Sequence, residues 1–173
     1  SLAGLQLERW LVDGLPKEAT LCAGISDAEG LGMAWTRASL GPTTALEVAD
    51  DGGWNIRVLS PVAQAIHADA LRWGALETGG ALIGRISFEN RTITIAGLVE
   101  APPDSVREAA RFVLGTNGLV QNLRAANAAS LGYLAFIGTW HSHPKGGAHS
   151  GIDQNTLRGI AEDAGGLPAV SLV

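Results

Sequence analysis

The stretch from residue 133 to residue 166 constrains the fold more than any other part of the chain. "YLAFIGTW" is typical of a buried strand, and "GIDQNTLRGIAEDAGG" is typical of a helix that stops at glycine. The loop between them, "HSHPKGGAHS", contains three of the four histidines. The short, glycine-rich loop predicts that the start of the helix folds back over the end of the strand.

Three further helices and a hairpin are predicted between residues 58 and 132. "SPVAQAIHADALRW" predicts a helix with Ser60 as N-cap and Pro61 at the first helical position. "GALIGRISF" and "ITIAGLVEA" predict a hairpin closed by the turn "ENRT". "DSVREAARFVLG" predicts a helix that starts with a capping box of Ser105 and Glu108. "GLVQNLRAANAASLG" predicts a helix whose core-facing residues are Leu119, Val120, Leu123 and either Ala126 or Asn127.

With "PAVSLV" as a final strand, these elements do not alternate strictly, which predicts a mixed α+β or α/β/α domain from about residue 58. Residues 1–57 are predicted to form a separate β-rich segment, with a short helix at Glu8 to Val12 and "DDGG" as a hairpin turn. The chain starts without Met and ends within an apolar strand. We therefore expect a segment of a longer protein, with the domain of residues 58–173 truncated at its C-terminus.

Charge and composition exclude several function classes. The net charge is −5 and the chain has no cluster of Lys and Arg, so we expect neither nucleic-acid binding nor binding to anionic membranes. No apolar run is long enough to span a membrane, and the first residues do not resemble a signal peptide. The single cysteine, Cys22, cannot form an internal disulfide or a thiolate zinc site. These observations predict a cytoplasmic protein.

The loop after residue 140 contains the residues of a candidate metal site. His141 and His143 are two residues apart after a predicted strand, so that both imidazoles lie on one face. Asp153 falls in the first turn of the next helix, and two His with one carboxylate leave a fourth zinc position for water. The alternative is a capping box of Ser150 and Asp153 without metal, with His149 as a polar loop residue.

Hydrolysis at such a site requires a general base near the attacking water. Glu77, in "ALETGGALIG", is a candidate because it lies at a helix-to-strand junction before two glycines that permit close backbone approach. The other interpretation is an ordinary solvated glutamate at a turn. The residues alone do not decide between the two.

Taken together, "ETGGALIG", "APPDS", "GTWHSHP" and "SGID" resemble the JAMM (MPN-plus, or JAB) metalloproteases, in particular their prokaryotic JAB branch. The resemblance covers about residues 58 to 173. It implies an MPN/JAB-like, cytidine-deaminase-like layered domain with a central mixed sheet. It also implies a peptidase with one Zn²⁺ per chain that cleaves isopeptide or peptide bonds after the C-terminus of ubiquitin or a ubiquitin-like protein.

Carried over by motif position, His141, His143 and Asp153 would bind the zinc ion. Glu77 would take a proton from the attacking water and deliver it to the leaving amine, and Ser150 would donate a hydrogen bond to the oxyanion. The expected partners are a ubiquitin-like protein or its conjugate, in a bacterial conjugation system with a fused or neighbouring activating-enzyme (ThiF-like) or conjugating-enzyme domain. The alternative is an inactive MPN scaffold for protein assembly, a class that usually lacks the zinc ligands present here.

One feature departs from the family pattern. The spacer between His143 and Ser150 is six residues instead of seven. The deletion falls in a glycine-rich loop, where changes of length are best tolerated. It puts the placement of Ser150 and Asp153 in question and leaves His149 as an alternative ligand.

Overall fold

The computed structural model describes residues 19–27, 30–38, 46–49 and 53–173, the first three ranges by their backbone. The predicted helix at Glu8 to Val12 lies outside these residues. The described residues form ten strands and three helices. In chain order these are β1 Ala19–Asp27, β2 Gly30–Ala38, β3 Leu46–Ala49, β4 Asn55–Val58, α1 Ser60–Trp73, β5 Gly79–Ser87, β6 Thr92–Glu100, β7 Val106–Glu108, β8 Arg111–Val113, α2 Leu119–Ala129, β9 Ala135–His141, α3 Gly151–Asp163 and β10 Ala169–Leu172.

Eight of the strands form one mixed sheet, in the order β2-β1-β10-β9-β5-β6-β4-β3. The pairs β9–β10 and β4–β6 are parallel, and the other neighbours are antiparallel. The predicted α+β fold with a central mixed sheet is therefore confirmed. The strands β1 to β4 extend this sheet at both of its ends, so within the described residues the N-terminal segment is β-rich but has no sheet of its own. Its status as a separate domain stays a prediction.

Helices cover both faces of the sheet, as β10 shows. Successive residues of a strand point to opposite faces. Val170 and Leu172 belong to the main core cluster, which includes Val62 of α1, whereas Ala169 packs in a second cluster with Leu157 of α3. Helices α1 and α3 therefore lie on opposite faces, which is the α/β/α layering predicted from the sequence.

A bulge in β9 lets this strand pack tightly against β10. The β5–β9 pairing passes from Gly138 opposite Leu82 to Phe136 opposite Ile83, so that Ile137 is the extra residue. Gly138 has φ = +147°, and a Cβ at this position would overlap the backbone carbonyl oxygen of Val170. Only glycine fits here, because both the backbone angle and the parallel neighbour exclude a side chain.

The predicted helix in "DSVREAARFVLG" is wrong, because these residues form the hairpin β7–β8. Ser105, the predicted N-cap, and its neighbour Asp104 instead join the two ends of the hairpin. Asp104 accepts the backbone N–H groups of Thr116 and Asn117, and Ser105 Oγ accepts that of Gly115. Hydrogen bonds between residues 10 to 13 positions apart thus override a local helix signal.

Of two smaller predictions about helices, one is wrong and the other is wrong at one residue. Helix α1 starts at Ser60 itself, with Leu59 as its N-cap, and Ser60 is buried. Helix α2 forms as predicted, and its predicted core-facing residues are half-buried except Val120, which is exposed, so that prediction is wrong only for Val120. Among the described residues, no helix combines the length and the apolar character needed to span a membrane.

Alanine should have opposite effects at Gly138, next to the bulge, and at Gly159, in helix α3. Gly138→Ala should lower the free energy of unfolding by about 3 kcal/mol or more, because the backbone must leave its strained region and move away from β10. Gly159→Ala is the matched control: Gly159 lies in helix α3 and has open space where a Cβ would extend, so this change should stabilise by roughly 0.5–1 kcal/mol. Urea unfolding of the two variants measures both effects. Equal effects of the same sign would contradict the assigned geometry.

Candidate metal centre

Three ligand atoms meet where β9 ends and α3 begins. His141 Nε2 lies 3.0 Å from His143 Nε2, and it lies 3.3 Å from Asp153 Oδ1. His143 Nε2 lies 3.7 Å from Asp153 Oδ2. One ligand atom from each residue falls within 4.8 Å of the others. The three side chains are 11 to 17% exposed, so the cluster is partly open to solvent.

A capping box holds Asp153 in this place. Ser150 Oγ accepts the Asp153 N–H (3.2 Å), and Asp153 Oδ2 accepts the Ser150 N–H (2.6 Å). The same carboxylate thus starts helix α3 and faces the two histidines, since Oδ1 remains directed at His141. Asp153 is therefore a member of both the capping box and the cluster with the two histidines. The six-residue spacer does not prevent this arrangement.

The electrostatics of the cluster suit a cation. Burial by itself raises the pKa of Asp153, but the hydrogen bond and the charge of His141, together with hydrogen bonds from Ser150, outweigh it and hold the pKa below its ordinary value. The carboxylate is therefore ionised at neutral pH. Two imidazole nitrogens at 3.0 Å repel each other unless a proton or a cation lies near both. Two imidazoles and one carboxylate form a donor set that fits catalytic zinc.

The start of β5 is joined to the histidine segment by strand pairing. Gly79, the first residue of β5, pairs with His141, the last residue of β9. Pairing continues beyond the strand ends, because Ser142 N–H donates to Thr78 O (2.7 Å) and Thr78 N–H donates to Ser142 Oγ (3.0 Å). Ser142 is the residue between the two histidines. The "TGG" segment is thus attached directly to the H-x-H segment.

Glu77 lies one residue before this junction. Thr78, the next residue, is bonded through its backbone to Ser142, so Glu77 is one residue away from the point where the chain before β5 meets the histidine segment. Glu77 is partly buried, between the end of α1 and the start of β5. This placement supports the general-base hypothesis, which stays a prediction.

The two glycines after Glu77 have a steric explanation. A Cβ on Gly79 would collide with the Trp140 carbonyl oxygen and the Phe112 ring, and a Cβ on Gly80 would meet the Val99 carbonyl oxygen at 2.6 Å. The backbone of β5 therefore approaches its neighbours more closely than any other residue type would allow. The sequence predicts a close approach here, and the structure identifies the groups involved.

His149 is a polar loop residue in the sequence-based interpretation, but the structure buries it. It is 6% exposed, and its ring centroid lies 6.3 Å from that of His141 at 89°. It is not among the three residues whose ligand atoms meet. Burial, with repulsion from His141 and His143 opposed by Asp153, lowers the pKa of His149 to about 4. Nothing in the glycine-rich loop distinguishes a buried imidazole from an exposed one.

The fold and the cluster together define the class: an α/β/α domain with a candidate mononuclear metal centre at a strand-to-helix junction. Comparison with known proteins identifies the class more closely. A family model described as prokaryotic homologues of the JAB domain, Prok-JAB, matches residues 59–173.

Two curated relatives agree with that match. The CD-NTase/cGAS isopeptidase of Enterobacter hormaechei subsp. hoffmannii (strain UCI 50) is 31% identical over 134 residues, which are 76% of this chain and 73% of the relative. A probable metalloprotease of Sinorhizobium fredii (strain NBRC 101917 / NGR234) is 30% identical over 101 residues, 57% of this chain and 61% of the relative. The chain belongs to the prokaryotic JAB family.

The cluster predicts specific stabilisation by zinc. Zn²⁺ added to metal-free protein should raise the midpoint of thermal unfolding, because an ion that binds only the folded state stabilises it by mass action. His143→Ala should abolish the rise. His67→Ala is the matched control, since His67 lies in helix α1 outside the cluster, and it should leave the rise intact. An undiminished rise in His143→Ala would remove this residue from the site.

The burial of His149 predicts acid sensitivity of the metal-free protein. The folded state favours the neutral ring, with a pKa of about 4 against an ordinary 6.5, so the unfolded state binds more protons between these values. Stability should therefore fall as the pH is lowered from about 6.5 to about 4, by at most about 1.4 kcal/mol per pH unit from this group. Chemical unfolding with chelator present measures the slope. In His149→Gln the free energy of unfolding should fall less steeply with decreasing pH than in wild type. An unchanged slope would contradict the assignment of acid sensitivity to His149.

Proposed function

We propose that the chain is a zinc-dependent isopeptidase or peptidase that cleaves after the C-terminus of a ubiquitin-like protein, by deconjugation or precursor processing. The observation that carries the proposal is the meeting of His141, His143 and Asp153 at the junction of β9 and α3. Glu77 precedes Thr78, which is bonded to the residue between the two histidines. Family membership and the names of both relatives support it.

In this proposal, His141, His143 and Asp153 hold one zinc ion. Bound zinc would lower the pKa of a coordinated water to about 7 and polarise the scissile carbonyl. Asp153 is prepared for its role, because its carboxylate is ionised and held by the Ser150 N–H. Two hydrogen bonds between Ser142 and Thr78 fix the backbone between the two histidines.

Glu77 acts as the general base and then the general acid. Its carboxylate accepts a proton from the attacking water and later delivers it to the leaving amine, so the proton moves from nucleophile to leaving group. The backbone bonds between Thr78 and Ser142 support this role, because they attach the residue after Glu77 to the histidine segment. A lysine side chain as leaving group makes the same chemistry an isopeptide cleavage.

Ser150 donates a hydrogen bond to the oxyanion that forms when the carbonyl is attacked. Its hydroxyl oxygen accepts the Asp153 N–H, and a hydroxyl can accept one hydrogen bond while it donates another. The residue is exposed beside the cluster, so substrate can reach it. Capping fixes the position of the oxygen before substrate arrives, and a preorganised donor of this kind contributes about 10²- to 10³-fold in rate.

The name of the first relative, CD-NTase/cGAS isopeptidase, supports a more specific substrate class. In this proposal the substrate of the chain is a ubiquitin-like protein joined to a CD-NTase. An activating-enzyme (ThiF-like) or conjugating-enzyme domain, fused or neighbouring, and a cytoplasmic setting complete the proposed system.

Glu77→Gln tests the mechanism most simply. The amide keeps the shape of the side chain but cannot take a proton, so cleavage should fall at least about 100-fold while zinc binding stays intact. The assay uses ubiquitin and bacterial ubiquitin-like proteins, each fused at its C-terminus to a reporter peptide. Glu89→Gln, in the exposed turn between β5 and β6, is the matched control and should cleave like wild type. Full activity of Glu77→Gln would refute the proposed role.

A further inference from the structure

We propose that Thr78, Arg107 and Asp69 form a positioning network that holds Glu77 beside the metal centre, an inference that rests on the proposed function. None of the three is a candidate from the sequence. They come from three separate elements: the junction before β5, the hairpin β7–β8, and helix α1. They meet at the side chain of Thr78.

Thr78 is completely buried, and each of its polar groups is bonded. Its hydroxyl donates to Asp69 Oδ2 (3.0 Å) and accepts from Arg107 Nε (3.2 Å). Its backbone N–H donates to Ser142 Oγ, and its carbonyl accepts the Ser142 N–H. A hydroxyl between a carboxylate and a guanidinium has one favoured orientation, because only the carboxylate can accept and only the guanidinium can donate. The residue after Glu77 is thereby fixed on both its backbone and its side chain.

Glu77 itself is attached to the hairpin. Its N–H donates to the carbonyl oxygen of Glu108 at 2.8 Å. Glu77 precedes β5 and so has no place in the ladder of the main sheet. Its backbone position therefore depends on the hairpin on one side and on Thr78 on the other.

Arg107 links these two supports. Its guanidinium carbon lies 4.2 Å from the Trp73 ring centroid and 5.8 Å from that of Phe112, its partner across the hairpin. Cation–π attraction to these two rings holds the guanidinium in place. Through this one side chain, the hairpin, the last turn of α1 and Thr78 are held at fixed positions relative to Glu77.

The network predicts a loss of turnover without a loss of substrate or zinc binding. Thr78→Val keeps the shape but removes the hydroxyl that joins Asp69 to Arg107. A displacement of the general base by about 1 Å can cost about 10²-fold in rate. We therefore expect kcat to fall about 10- to 100-fold, KM to change less than about twofold, and zinc content to remain one per chain. Thr78→Ser restores the hydroxyl and should recover most of kcat.

The assay uses the full chain loaded with zinc and the reporter fusions of ubiquitin and bacterial ubiquitin-like proteins. Arg107→Met is the second variant, which keeps an unbranched chain over Trp73 but cannot donate to Thr78, and should reproduce the kcat loss. Arg85→Met is the matched control: Arg85, on β5, lies 6.0 Å from the Tyr133 ring and outside the network, and its kcat should match wild type.

The possible outcomes distinguish failure of the positioning network from failure of the proposed function. Unchanged kcat in Thr78→Val and Arg107→Met, with Glu77→Gln inactive, overturns the network and leaves the proposed function standing. Equal losses in Thr78→Val and Thr78→Ser, or losses that follow zinc content, assign Thr78 a purely structural role and also overturn the network. Full activity of Glu77→Gln, or no cleavage by wild type, refutes the proposed function and the network with it.

Discussion

The pairing of Thr78 with Ser142 is the interaction on which the rest of the site depends. These two hydrogen bonds extend the β5–β9 ladder beyond the last strand residues, to the point where the chain leaves the sheet on both sides. One residue earlier lies Glu77, and on either side of Ser142 lie the two histidines. Because Thr78 and Ser142 are bonded where β5 begins and β9 ends, the segments that carry Glu77 and the two histidines are anchored to the central sheet.

A second constraint brings in the remaining ligand. Asp153 belongs to helix α3, which packs on the sheet through Leu157 and Ala161. The capping box fixes its carboxylate at the first turn, so the packing of the helix and the position of the ligand are set together. The site thus joins a strand end and a helix start that are each held by their own core cluster. Stability and ligand geometry depend on the same contacts.

The sequence predicts those parts of the molecule whose determinants are local. The capping box of Ser150, the period-2 spacing of the histidines and the glycine-rich approach at Gly79 are all readable over a few residues. The sequence of the hairpin β7–β8 predicts a helix, because the contacts that favour the hairpin are not visible in the local pattern. Arg107 contacts Trp73 and Thr78, which lie in other elements, and Ser105 Oγ accepts the N–H of Gly115 across the hairpin. The burial of His149 depends on its position beside His141 of β9 and Ser171 of β10, which only the fold brings together. Arg107 could not be predicted for the same reason, since its role exists only after three elements meet.

The central claim is that His141, His143 and Asp153 together hold one zinc ion. X-ray absorption at the zinc edge of the zinc-loaded protein tests it most directly. We expect one ion per chain, two imidazole nitrogens at about 2.0–2.1 Å and oxygen ligands at about 2.0–2.2 Å, with no sulfur. A shell with three imidazoles would place His149 among the ligands and contradict the assignment, as would a protein that retains no zinc.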